Sequence, residues 1–151
     1  MRFHQIKEVY QHILNVNKRF ETLCEQLLIE TKDERIRMYI YFLLKKQHDN
    51  NDYLKNLIKS ESHKVIDSWV DEEIENKITK NFIEYEQRKI LTVDDILNIN
   101  LEIIEIINNW LLIIVDVSTN QTVKEHMLDL IERQTQQSHQ LVHSAHRMDD
   151  M

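Results

Sequence analysis

The chain has 151 residues and contains neither glycine nor proline. Glycine reaches positive φ without steric cost and proline pre-sets a turn, so together they punctuate hairpins, bulges and tight loops. Their absence argues against a β-sandwich, a Rossmann fold and a P-loop, and it removes the glycine-rich loop that cradles phosphate. With a single cysteine, Cys24, no internal disulfide can form; it falls on an apolar seam, where a thiol packs as a small hydrophobe. Positive charge is scarce as well. The net charge is -7 and no stretch is strongly basic, so the electrostatic footprint of a nucleic-acid partner is missing. Met1-Arg2-Phe3-His4-Gln5 has no secretory apolar region. The most apolar stretch, 101–117, is interrupted by Glu102, Glu105, Asn108, Asn109 and Asp116, which argues against a membrane span. These absences lead to the expectation of a soluble, cytoplasmic, all-α protein in one domain, residues 1–151.

Apolar residues at alternating spacings of three and four are what the chain has in abundance. They predict four long helices over about 3–30, 33–60, 93–117 and 120–148. The first seam runs Phe3, Ile6, Tyr10, Ile13, Asn17, Phe20, Cys24, Leu27, and the second Ile36, Ile40, Leu43, Gln47, Asn50, Leu54, Leu57. The third runs Val93, Ile96, Asn100, Ile103, Ile107, Trp110, Ile114, Val117, and the fourth Val123, Met127, Leu130, Gln134, Gln137, Leu141, Ala145, Met148. Asp33 is a plausible cap for the second helix, and Thr92 with Asp94-Asp95 opens the third. The join at Thr31-Lys32 is short enough to force antiparallel neighbours. Residues 61–91 break the rhythm and read as a crossover of short helices, with Asp71 as a possible cap and Trp69 and Phe82 as apolar anchors. Two helical hairpins joined by one long crossover form the ferritin-like arrangement of a four-helix bundle rather than the simple up-down one.

Each seam carries a polar residue near its middle: Asn17, Gln47 with Asn50, Asn100, and Gln134 with Gln137. A buried amide costs free energy unless it is hydrogen-bonded, so a cluster of them at similar depth asks for a reason. In di-iron bundles two helices supply a Glu each and two supply Glu-x-x-His. The corresponding spacing here reads Gln47-x-x-Asn50 and Gln134-x-x-Gln137, with Asn17 and, one turn on, Glu21 in the first helix and Asn100 in the third. Neutral amides are poor ligands for transition metals, and the single carboxylate Glu21 cannot neutralise two cations.

The chain resembles the ferritin-like, rubrerythrin-type superfamily, specifically its small bacterial members. The resemblance extends over nearly the whole chain through topology and is carried locally by Asp33-Glu34-Arg35-Ile36-Arg37-Met38, Val65-Ile66-Asp67-Ser68-Trp69 and Leu130-Ile131-Glu132. It implies a bundle that in many relatives binds two irons for oxidase, peroxidase or storage chemistry. Asn17, Glu21, Gln47, Asn50, Asn100, Gln134 and Gln137 are then the candidate vestigial metal or small-ligand site. No catalytic residue is expected, and no cofactor, with iron as the alternative. The primary reading is a non-catalytic scaffold or binding protein whose core is lined by amides. The alternative is a metal-dependent oxidoreductase or iron-handling protein with an incomplete site.

Two further features stand out. His139, His143 and His146 form a stripe at a metal-capable spacing, but it lies roughly 160–200° from the Gln137/Leu141 seam at about 100° per residue, facing water or a partner. The third helix is apolar on more than one side, through Leu97, Ile99, Leu101, Ile104, Ile106, Leu111, Ile113 and Val115. Such a helix is buried nearly all round, and the charged crossover cannot cover it fully, so a homodimer through this helix is expected.

Overall fold

The computed structural model of the protein describes residues 2–60, 65–69 and 72–149, and side chains within 7–59 and 76–148. In chain order the elements are β1 (Arg2–Gln5), α1 (Ile6–Glu30), α2 (Glu34–Ser60), β2 (Val65–Trp69), α3 (Glu72–Gln87), α4 (Val93–Val117) and α5 (Gln121–Asp149). The long helices α1, α2, α4 and α5 form the bundle, packed most closely within the hairpins α1–α2 and α4–α5, with α2 against both α4 and α5.

Helix ends are fixed by side-chain caps, as a glycine-free chain requires. Asp33 Oδ1 accepts from the backbone N–H of Arg35 and Ile36, at 2.9 and 3.1 Å. Asn120 Oδ1 does the same for Thr122 and Val123. Thr92 and Asp95 form a reciprocal capping box at the start of α4. Among the described residues none has positive φ. Helix α4 accordingly ends on Ser118 in an extended conformation, its N–H bonded to the Ile114 carbonyl, rather than on a left-handed residue.

Two features depart from the sequence reading. The expected first helix starts at Ile6, because residues 2–5 pair as a strand with β2, antiparallel, with Arg2 opposite Trp69 and Gln5 opposite Val65. The helix period extends through Phe3, but the 65–69 segment offers the backbone of residues 2–5 a ladder partner. The crossover also contains one helix of 16 residues, α3, beside that strand, rather than several short ones. The expected cap at Asp71 and residues 61–64 lie outside the described residues, as does the Trp69 side chain.

Phe82 is buried, as anticipated, together with Ile78 and Tyr85. These three and Val16 of α1 meet Ile103, Ile106 and Ile107 of α4, so α3 covers the side where α1 and α4 meet. Arg19 of α1 closes over the Phe82 ring at 4.8 Å. Helix α4 buries Ile96, Leu97, Ile99, Ile103, Ile104, Ile107, Trp110, Leu111 and Ile114, more than one seam's width. It is the one helix among the described residues long and apolar enough to cross a membrane, and much of that apolar surface is turned into the bundle core.

Candidate functional site

Five of the six amides that interrupt the seams are brought into the bundle interior. Asn17, Gln47, Asn50, Asn100 and Gln134 are all buried, Asn100 being 1% exposed. They sit there because helical periodicity gives each the inward position that its neighbours one turn away fill with Ile13, Phe20, Leu43, Leu54, Ile96, Ile103 and Leu130, every one of them buried.

Cross-helix contacts set the depth at which each amide lies. The His12 and Trp110 rings meet at 5.0 Å, which fixes α1 against α4. Tyr39 OH donates to the Leu141 carbonyl at 2.8 Å, and Arg133 lies over the Tyr53 ring at 3.7 Å, which fixes α2 against α5. Counting from these antiparallel pairs puts Asn17, Gln47, Asn50 and Gln134 at similar height. Asn100 lies roughly one turn closer to the α1–α2 turn, level with Glu21. All six residues therefore fall within about two helical turns of one another.

Their bonding is incomplete. Gln47 Oε1, Asn50 Oδ1, Asn100 Oδ1 and Gln134 Oε1 are buried acceptors with no hydrogen-bond partner, whereas Asn17 contributes an unpartnered donor, Nδ2. No amide of the layer donates to these oxygens, so the layer does not satisfy itself. The periodicity analysis did not single out Asn51, yet it is buried, 4% exposed. Its Nδ2 donates to Glu21 Oε1 at 2.7 Å, and its own Oδ1 is a further unpartnered acceptor. The signal was present in the sequence, since Asn51 stands four residues after Gln47 and three before Leu54. A seam that alternates threes and fours passes through Asn50 and skips it.

Gln137 does not join the buried layer. It is half-buried and, with Lys46, Asp49, Asn50, Arg133, Gln136 and Gln140, lines an open polar groove of about 240 Å³ between α2 and α5. Asn50 lines this groove and belongs to the layer, connecting the two. His139, His143 and His146 are exposed. Among the described residues, no group of three or more His, Cys, Asp and Glu side chains is arranged to hold a metal ion. Cys24 is buried beside Glu21. Burial, and then the nearby carboxylates of Glu21 and Glu25, push its thiol far above the ordinary value, so it stays protonated rather than becoming a thiolate ligand.

A di-iron centre needs several carboxylates and imidazoles aimed at one point, and this layer offers six amides from the long helices and one carboxylate. The residues present do not fit two irons.

No family model matches the sequence, and neither does any curated protein. Among solved structures, the chain is similar to a Thermotoga maritima protein assigned as a ferritin-like diiron-carboxylate protein. The two are 12% identical, the match covers 97% of each chain, and the TM-score is 0.57. At that identity the likeness shows the fold, which is ferritin-like.

Proposed function

We propose that the chain is a ferritin-like binding protein or scaffold in which neutral amides stand where the fold elsewhere carries a carboxylate metal centre, and that it acts without di-iron chemistry. The observation that supports this best is the donor set: buried Asn17, Gln47, Asn50, Asn100 and Gln134, with Glu21 as the carboxylate beside them. Amide oxygens are weak ligands for transition metals. One carboxylate leaves most of the charge of two divalent irons unopposed, and uncompensated charge in a bundle core is costly. In this reading the layer takes a small polar species, the protein is soluble and cytoplasmic, and two copies pair through the outer face of α4.

An iron-handling role is the second reading, and the likeness to a diiron-carboxylate protein favours it. It requires an incomplete site on Glu21, finished by ligands from outside the chain. Elemental analysis of untagged protein, purified without chelators, separates the two. Iron well below one equivalent per chain supports the binding-protein reading. Two irons per chain, lost in Glu21→Ala, would overturn it in favour of iron handling.

A further inference from the structure

We infer that the groove between α2 and α5 is a binding site for a small acidic amino acid, a molecule with two carboxylates and one ammonium group. The inference rests on the reading of the chain as a binding protein, and it gives a ligand to the groove that shares Asn50 with the amide layer.

Two cross-helix contacts bound the groove. Lys46 Nζ of α2 donates to Gln140 Oε1 of α5 at 3.1 Å, and Arg133 of α5 lies over the Tyr53 ring of α2 at 3.7 Å. Along each helix these contacts stand two turns apart, about 10 Å, with Asp49, Asn50, Gln136 and Gln137 lining the space between them. The groove therefore has a cation at either end and a carboxylate with amides in its middle. Its volume of about 240 Å³ falls below the range usual for drug-sized ligands, which suits a metabolite of a few carbons.

Charge chooses the ligand. Among the described residues, Lys46, Arg133 and Asp49 have no ion-pair partner. Gln140 is neutral and leaves the Lys46 charge unopposed. The Tyr53 face orients the guanidinium of Arg133 without occupying its N–H donors. Arg133 thus keeps a planar fork open, the geometry that meets a carboxylate with two parallel bonds. In a chain of net charge -7, two cations and one carboxylate leave this groove with a single net positive charge. An acidic amino acid carries the complement: one carboxylate for Arg133, one for Lys46, and an ammonium for Asp49. Its single net negative charge balances the groove. A phosphate dianion would set excess charge against Asp49 and has no ammonium to offer it. Asn50, 7% exposed and with its Oδ1 unpartnered, places a buried amide at the groove floor beside Asp49.

The test is isothermal titration calorimetry of the full chain with L-glutamate, glutarate, L-glutamine and inorganic phosphate. Glutarate lacks the ammonium, and glutamine lacks the second carboxylate. L-Glutamate should bind saturably, and each of the other three at least about tenfold more weakly, the loss that follows from one charge-assisted bond. Arg133→Gln should weaken glutamate binding by a similar factor. Asp49→Asn should remove the preference for glutamate over glutarate, a change that a merely structural role of Asp49 would not produce. Both side chains are exposed, so the variants keep the fold. No saturable heat with glutamate, equal binding of all four titrants, or full glutamate affinity in Arg133→Gln would overturn the site. Each of these results leaves the non-iron reading standing, since that one fails only on iron content.

Discussion

Asn51 of α2 donates through Nδ2 to Glu21 Oε1 of α1 across 2.7 Å. It fastens the first helical hairpin beside the polar layer and gives a partly buried carboxylate a neutral donor where an ion pair would be the commoner solution.

Removing that donor should be felt. Asn51→Ala leaves Glu21 without its partner, at a cost of about 1–2 kcal/mol once the partial exposure of the carboxylate is allowed for. Urea unfolding at pH 7 measures it. A loss below about 0.3 kcal/mol would mean that water replaces Asn51 freely and that the bond does not hold the hairpin.

Rebuilding the missing ligands tests the comparison with di-iron bundles directly. Replacing Gln47 and Gln134 by Glu and Asn50 and Gln137 by His, in a background of Asn17→Glu and Asn100→Glu, restores the Glu and Glu-x-x-His pattern. The variant should bind ferrous iron at about two equivalents under anaerobic conditions and oxidise it in air, while the parent chain does neither. Should the variant fold and still bind none, the six positions do not share a site. The half-buried Gln137 would be the first suspect.

The start of α4 gives a pH prediction with a definite sign. Asp95 accepts from the Leu91 N–H at 2.8 Å and the Thr92 N–H at 2.9 Å. Those backbone bonds, led by Leu91, hold its carboxyl below the ordinary 3.8. A group depressed in the folded state stabilises fully above its unfolded pKa and loses that contribution as pH falls through the folded value. Asp95→Asn should thus be less stable than the parent by about 0.5–1 kcal/mol at pH 7, and the gap should narrow only once the pH has fallen below the ordinary 3.8, closing as it passes through the lowered folded value. A gap that stays constant down to pH 2 would show that the carboxylate charge plays no part in the cap.

Self-association through α4 is the remaining proposal. Leu112, Ile113 and Val117 are exposed on its outer face, Ile113 by 50%, while α3 covers the other side through Ile78, Phe82 and Tyr85. A two-fold interface would use the same patch on both copies. Light scattering at micromolar concentration should give twice the 18.4 kDa chain mass, and Ile113→Lys should return the monomer. A monomer for the parent chain would mean that the exposed patch is ordinary surface.

Much of this was legible in the chain itself. Spacings of three and four located the long helices and the inward positions of Asn17, Gln47, Asn50, Asn100 and Gln134, because facing a core is a periodic property that a single helix already possesses. Asp33 and Thr92 marked helix starts because capping is local, reaching two or three residues. What only the tertiary structure decided depends on neighbours distant in sequence. Residues 2–5 leave the helix because 65–69 offers them a ladder partner. Asn51 turns inward beside Asn50 because Glu21 on α1 stands within its reach. Gln137, between buried Gln134 and Leu141, lines the open groove that α2 and α5 form together, a surface neither helix has alone. Which amide oxygens remain unpartnered could not be read from periodicity at all. Hydrogen bonding is decided within a few tenths of an ångström, and that precision comes from how four helices pack rather than from the order of residues along any one of them.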